Sequence, residues 1–213
     1  FADAYEAVTT NHTGTGTVAF SGTATGIIKI EGGGTVTGAE DITGTVDNTS
    51  GTDGSGTLTM AATKDVSGAI GATNSLLAVN SDSTGGTSAF GGAISATTVS
   101  LAGTGTTTFA GDVTGAVNFT ADGTATVAQA IKIVGAVTTA TTNTGTLNLS
   151  NTTNAAITLA SSTIGASNAL LKAVNVTNGD PLVTTLAGNI FATTVTATAT
   201  ANLDKITFAG TVN

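Results

Sequence analysis

Several residue types on which common protein chemistry depends are scarce in this chain. Its 213 residues include no cysteine, tryptophan or arginine, one histidine, one proline and five lysines. A Cys/His zinc site or an iron–sulfur cluster therefore cannot be assembled within one chain. Five scattered lysines cannot neutralise a phosphate backbone, so nucleic acid is not an expected partner. No apolar run reaches the roughly 18–20 residues of a spanning helix, and we expect no transmembrane segment in this chain.

Small and β-branched residues make up most of the chain instead. It contains 49 Thr, 35 Ala and 29 Gly, only 8% of its residues are charged, and its formal net charge is −8. A positive mean hydropathy and a single proline are not typical of a disordered linker. Because few large side chains are available for a globular core, the composition favours a long, thin architecture that stacks small residues on a backbone ladder.

The sequence repeats internally. The string Gly14–Thr17 recurs 89 residues later as Gly103–Thr106, and the shift between matched residues then grows along the chain. A growing shift is expected if the differences in length collect in loops between conserved structural positions. Matched pairs are Phe20 with Phe109, Thr17 with Thr106 and Ile28 with Val117 at 89, Ile70 with Ile164 and Leu76 with Leu170 at 94, Ala96 with Ala192 at 96, and Phe109 with Phe208 at 99.

These matches divide the chain into one continuous array. We expect residues 1–13 to end a preceding repeat, residues 14–102 to form one unit, residues 103–201 to form a second, and residues 202–213 to begin a third. No basic, apolar leader precedes Phe1, and we interpret the chain as a processed or excised piece of a longer protein.

The local pattern within each unit predicts β-strands. Strings such as Ile28–Ile30 and Leu147–Leu149 alternate large apolar with polar residues, which is the period of a strand with one buried face. We therefore predict an all-β fold, a repetitive β-solenoid (β-helix-like) with about four coils of roughly 20–25 residues per unit. The alternative is a tandem array of Ig-like β-sandwich modules, but seven Phe and no Trp provide little for two sandwich cores.

Three strings resemble a known class of proteins. They are Ile70–Asn80 (IGATNSLLAVN), Phe90–Thr98 (FGGAISATT) and Phe109–Phe119 (FAGDVTGAVNF). They resemble the passenger regions of rickettsial-type outer-membrane autotransporters and the wider class of β-strand-repeat, surface-layer-like bacterial proteins. The resemblance implies a β-repeat stalk exposed on the bacterial cell surface that acts in adhesion or forms a coat. It transfers no binding residues, because the matching strings are scaffold strings.

The sequence offers little for catalysis. His12 is the only imidazole, and its match one repeat later is Leu101, so we interpret it as a surface or loop residue and not as a general base. Glu40 and Asp41 form the only adjacent acidic pair; neighbouring residues of a strand face opposite ways, so a solvated turn is the better interpretation. We predict no catalytic residues and a protein that is not an enzyme. A polysaccharide-active β-helix enzyme would need carboxylates clustered on one face.

Two binding functions are left open by the sequence. The loop from Asp47 to Asp53 has enough oxygen atoms for calcium, and Asp47 and Asp53 are its candidate ligands, with Asp122 and Asp180 as weaker ones. Neither Asp47 nor Asp53 has an acidic counterpart in the second unit, and no other cofactor is expected. Thr-x-Thr strings could order water on a flat β face, as in ice-binding proteins, but their unequal spacing argues against a continuous plane. Such strings include Thr15–Thr17, Thr57–Thr59, Thr104–Thr106 and Thr124–Thr126.

Together these observations predict a non-enzymatic, extracellular structural β-repeat protein of the bacterial cell surface. The alternative is a self-assembling filament or surface-layer subunit, a homo-oligomer joined through terminal strand edges at Phe1–Thr10 and Phe208–Asn213. A host or neighbouring-cell surface is a further expected partner. A polysaccharide-active enzyme and an ice-binding protein rank after these two.

Overall fold

Strands account for all the regular secondary structure that the computed structural model describes, and no helix occurs among these residues. The described residues are 5–128, 131–151, 158–160, 163–178, 183–199 and 205–213. The strands are β1 (Tyr5–His12), β2 (Thr17–Phe20), β3 (Ala24–Ile30), β4 (Thr35–Gly38), β5 (Ile42–Asn48), β6 (Thr57–Met60), β7 (Leu76–Ser81), β8 (Thr87–Phe90), β9 (Ile94–Leu101), β10 (Thr106–Phe109), β11 (Val113–Phe119), β12 (Thr124–Ala128), β13 (Lys132–Val134), β14 (Val137–Thr139), β15 (Thr144–Asn151), β16 (Thr158–Ala160), β17 (Leu171–Asn178), β18 (Val183–Leu186), β19 (Ala192–Ala199) and β20 (Lys205–Phe208).

These strands form a β-solenoid of about nine turns, in which each turn passes three faces. The first face contains β2, β4, β6, β7, the ends of β9 and β11, and β14. The second face contains β8, β10, β12, β15, β17 and β19. The third face contains the ends of β3 and β5, the beginnings of β9 and β11, and then β13, β16, β18 and β20.

Parallel pairing between successive coils confirms the predicted solenoid and excludes the β-sandwich alternative. All the named strand pairs are parallel, whereas a sandwich of the Ig type is built from antiparallel sheets. Stacking of parallel coils lets each strand satisfy its backbone hydrogen-bonding groups with the strands above and below it.

The core is a set of apolar columns that run along the solenoid axis. Most coils contribute a buried apolar residue to each column, and the alternation of the strands places these residues inward. Phe90 and Phe109 stack in one column with ring centroids 5.8 Å apart. The first-face column contains Val36, Leu58, Val79, Val99, Val117, Val137, Ile164 and Ile190.

The coils differ in length, but the stacking of the strands does not. Val18 pairs with Val36, 18 residues later, whereas Val137 bridges to Ile164, 27 residues later. The additional residues lie in loops at the corners, such as residues 49–56 between β5 and β6. Loop length is therefore free to vary while the buried columns stay in register.

The internal repeat is not a whole number of coils. Four coil-to-coil steps carry Ile28 through Val46, Ile70 and Ile94 to Val113 on the same face. The repeat matches Ile28 with Val117 instead, which lies on the first face. Each unit thus spans four coils and one further face.

Other matched pairs agree with this offset of one face. Phe20 lies on the first face and Phe109 on the second, whereas Phe208 lies on the third. One match requires a correction: Leu76 pairs with Ala96, and Leu171 pairs with Ala192. Since Ala96 matches Ala192, the structural counterpart of Leu76 is Leu171 and not Leu170. The unit boundaries themselves stay a prediction.

Candidate functional site

Three aspartates, each immediately before a buried residue that pairs with a neighbouring coil, accept a hydrogen bond from the next coil. The Asp65 N–H donates to Asp41 Oδ1 at 3.0 Å, and the Ala89 N–H donates to Asp65 Oδ1 at 2.6 Å. On a later coil the Lys132 N–H donates to Asp112 Oδ1 at 2.8 Å. These carboxylates connect neighbouring coils, which is a structural role.

The two calcium candidates also connect coils. Asp47 accepts hydrogen bonds from the Thr73 N–H, at 2.8 Å, and from the Thr73 hydroxyl. Asp53 accepts from the Ser75 N–H at 2.8 Å and from its hydroxyl at 3.3 Å. Within the described ranges, no group of three or more His, Asp or Glu side chains is arranged to hold a metal ion. Calcium at Asp47 and Asp53 stays a prediction, and Asp180 lies outside the described residues.

Asp122, the remaining calcium candidate, forms an ion pair with a lysine two coils away. Lys172 Nζ lies 2.8 Å from Asp122 Oδ2, and the Gly145 N–H donates to the other carboxylate oxygen at 3.2 Å. The hydrogen bond from Lys172 lowers the pKa of Asp122, with smaller help from the Gly145 N–H. Both side chains are about half exposed, so the pair contributes little to stability.

The acidic pair Glu40 and Asp41 is divided between separate partners. Glu40 Oε2 lies 2.5 Å from Lys64 Nζ, and this hydrogen bond raises the pKa of Lys64. Asp41 accepts the Asp65 N–H described above. The pair lies in the turn before β5, which agrees with the interpretation as a turn rather than a catalytic pair.

His12 lies at the end of β1 with 9% of its surface exposed, so the expectation of a surface residue is wrong. Its Nε2 atom lies 2.9 Å from the Gly16 carbonyl oxygen. The ring occupies the space in which a side chain at position 34 would lie, because a Cβ on Gly34 would come within 2.1 Å of Nε2. His12 therefore fixes the loop between β1 and β2 by its contact with Gly16 and fills the space beside Gly34.

Asn48 has a similar role that the sequence analysis missed. It is fully buried at the end of β5, and its amide nitrogen donates to the carbonyl oxygens of Thr52, at 2.8 Å, and Ser75, at 2.7 Å. Its side-chain oxygen accepts from the Ser50 N–H and hydroxyl. An asparagine at an inward position of an alternating strand is the signal that would have identified it.

Outward-pointing small residues form two in-register columns on the first face. Threonine predominates, and none of the residues is charged. The Asn80 amide donates to Thr59 Oγ1 at 3.2 Å, and the Thr138 hydroxyl donates to Asn118 Oδ1 at 3.0 Å, so neighbours within a column also bond to each other. One column is Thr17, Thr35, Thr57, Ala78, Thr98 and Ala116; the other is Ala19, Thr37, Thr59, Asn80, Ser100, Asn118 and Thr138.

The second face has a matching pair of uncharged columns. Unequal spacing does not break the register within a face, because the corner loops absorb the differences in length. The four predicted Thr-x-Thr strings still do not share one plane, since Thr57–Thr59 lies on the first face and Thr124–Thr126 on the second. Thr15 and Thr104 lie in turns, outside the strands. One column is Thr87, Thr106, Thr124, Thr146, Ala173 and Thr194; the other is Ala89, Thr108, Thr126, Asn148, Asn175 and Thr196. We call the columns on both faces the threonine faces.

Comparison with known proteins gives no further guide to function. No protein-family model, curated protein or solved structure matches the chain. The residues that the structure describes include no helix able to reach across a lipid bilayer.

Proposed function

We propose that this chain is a non-enzymatic structural β-solenoid of the bacterial cell surface, an extracellular stalk or coat of the adhesin or autotransporter-passenger type. The observation that supports the proposal is the use of the acidic side chains: Asp41, Asp47, Asp53, Asp65 and Asp112 all accept hydrogen bonds from a neighbouring coil. A continuous apolar core and these inter-coil bonds make a scaffold that resists bending and local opening.

Antibody labelling tests the location. Antibodies raised against the purified chain are applied to intact and to permeabilised cells of the source organism. We expect strong labelling of intact cells, removed by brief protease treatment. Labelling that requires permeabilisation would contradict the proposal.

Self-assembly through terminal strand edges is the alternative form of this function. The last described coil buries its apolar residues poorly: Val212 is 45% exposed, whereas Ile190, its neighbour in the same column, is fully buried. Val195, Ile206 and Phe208 are only partly buried. A second copy stacked on this coil would cover them, while residues 1–4 of the other proposed contact lie outside the described residues.

Light scattering and negative-stain electron microscopy test this alternative. Val212→Lys is compared with Leu77→Lys, since Leu77 is also exposed, at 52%, but lies on the side of the solenoid. Assemblies that are lost in Val212→Lys and kept in Leu77→Lys support stacking at this coil. A monomeric wild-type chain with and without calcium would overturn it.

Ice binding is a second candidate function, favoured by the in-register threonine faces. Hydroxyl and methyl groups repeat there at the spacing of β-strands along the axis, about 4.8 Å, without charged residues between them. The test is inhibition of ice recrystallisation by wild type, by Thr57→Lys/Thr59→Lys, and by the control Thr43→Lys, an exposed residue of β5 off these columns. Activity lost only in the double variant supports the function; an inactive wild type would exclude it.

A further inference from the structure

A shallow depression of about 210 Å³ lies where the third face turns into the first. Its floor consists of small residues from two successive coils, among them Ala69, Gly71 and Ala93. Asp53 comes from the loop before these coils, and Asp112 from the coil after them, so the two carboxylates flank the depression along the axis.

Each of the two carboxylates is held in place through only one of its own oxygen atoms, Oδ1. Asp53 Oδ1 accepts from the Ser75 N–H, and Asp112 Oδ1 accepts from the Lys132 N–H, each at 2.8 Å. No described residue donates to either Oδ2 atom, so each carboxylate keeps an acceptor for a ligand. The hydroxyls of Ser95 and Thr114 also line the depression and add groups that can both donate and accept.

The lining limits the class of ligand. It contains two carboxylates and no cationic residue, so an anionic ligand is disfavoured. Among the described residues, no third acidic or imidazole side chain is placed with these two carboxylates to hold a metal ion, so the depression is a poor metal site. The volume is below the roughly 300–1,000 Å³ of sites for drug-sized ligands, which limits the ligand to about one sugar ring.

We propose that this depression binds one hexose residue of a neutral glycan. Sugar hydroxyls donate to the Oδ2 atoms of Asp53 and Asp112 and accept from Ser95 and Thr114, while the apolar side of the ring covers the alanine floor. The biological use of the site rests on the proposed surface role, but its chemistry does not. Failure of sugar binding would therefore not affect the proposed location at the cell surface, and failure of the antibody labelling would not affect the proposed sugar site.

Saturation-transfer NMR on the whole chain tests the site. The probes are galactose, glucose, mannose, N-acetylglucosamine and N-acetylgalactosamine, each added alone. We expect transfer to at least one sugar, with affinity reduced about tenfold or more in Asp112→Asn, because a hydrogen bond to a charged group is lost. Asp65→Asn is the matched control, since Asp65 also accepts an N–H of the next coil but lies outside the depression.

Thr114→Val provides a second test in case Asp112→Asn unfolds. Thr114 is exposed, and its hydroxyl makes no hydrogen bond to another coil among the described residues, so its loss should not affect folding. We expect it to weaken sugar binding without lowering the melting temperature. Absence of transfer to every sugar would overturn the proposal, as would variants that bind like wild type. Calcium binding that depends on Asp53 and Asp112 in the absence of sugar binding would also overturn it and assign a cation site instead.

Discussion

Gly115 occupies the point at which β11 passes from the third face to the first. Its φ of +131° is a conformation that residues with a side chain rarely adopt, and a Cβ there would lie 1.8 Å from the Ala96 carbonyl oxygen. The same bend occurs at Gly44 in β5, which passes from the second face, where Ile42 is linked through Val66 to Phe90, to the third. In β11 and β5, a glycine at the bend thus lets one strand belong to two sheets, whereas β9 passes from the third face to the first without a glycine.

A graded series of alanine substitutions tests this requirement. Gly115→Ala should lower the free energy of unfolding by about 3 kcal/mol or more, because strain and a backbone clash add. Gly85→Ala has positive φ but open space and should cost about 1 kcal/mol. Gly16→Ala, with ordinary φ and no neighbour within 4 Å, should change stability by less than about 0.5 kcal/mol. Chemical denaturation measures all three; equal effects would contradict the role assigned to the bend.

The ion pair of Asp122 gives a prediction for pH dependence. A pKa lowered by folding stabilises the native state above the ordinary Asp pKa, about 3.9, and this contribution is lost as the pH falls through the folded-state pKa. Lys172→Met should raise the pKa of Asp122 and weaken the acid dependence of unfolding, as measured by NMR titration of the carboxyl carbon. Lys132→Met is the control, because its backbone and not its side chain bonds to Asp112. An unchanged Asp122 pKa in Lys172→Met would contradict the assignment.

At the scale of the element, each strand has an inward side that stabilises and an outward side that is available for contacts. Phe109→Ala should cost about 3–5 kcal/mol, because it removes a fully buried ring stacked on Phe90. Thr108→Ala, next to it in β10 but facing outward, should cost less than about 1 kcal/mol. Thermal and chemical unfolding of the two variants provide the comparison; similar costs would mean that this column is not the main source of stability.

The strands were largely predictable, but their grouping into faces was not. Alternation in Ile28–Ile30 and Leu147–Leu149 predicted strands that β3 and β15 contain. Nothing in the alternation indicates that β3 serves two faces while β2 serves one, since this depends on the bend at Gly26. The mismatch of Leu76 with Leu170 instead of Leu171 arises from a loop. One residue added in the loop cannot be seen in the sequence, because both residues that could match Leu76 are leucines.

The candidate sites were less predictable than the strands. Asp47 and Asp53 were predicted as calcium ligands from the oxygen atoms of their loop, but their hydrogen bonds to Thr73 and Ser75 depend on which residues the next coil places beside them. Asp112 was not identified at all, since its proximity to Asp53 arises only when intervening coils stack. Contacts across coils are set by loop length, and the sequence pattern does not encode loop geometry.

At the scale of the whole molecule, nine turns at the spacing of β-strands give an axial length of about 43 Å. The offset of the repeat predicts how matched residues are arranged around this axis. Spin labels at Thr17 and Thr98 share one column of the first face and should lie about 19 Å apart at the backbone. Labels at Thr17 and Thr106, a matched pair of the repeat, should be further apart because Thr106 lies on the second face. Pulsed electron paramagnetic resonance measures both pairs, and equal distances would contradict the offset.

This offset also affects what happens when the number of repeats changes. Recombination between neighbouring copies that deletes one unit would remove four coils and one face, so every residue downstream would be turned by a third of a revolution relative to those upstream. The buried columns would close again, because each face accepts the same inward residues, but the threonine face presented in a given direction would be replaced by another. A gene of this kind could thus alter its displayed surface by changing copy number alone, and only a change of three units would restore the original orientation.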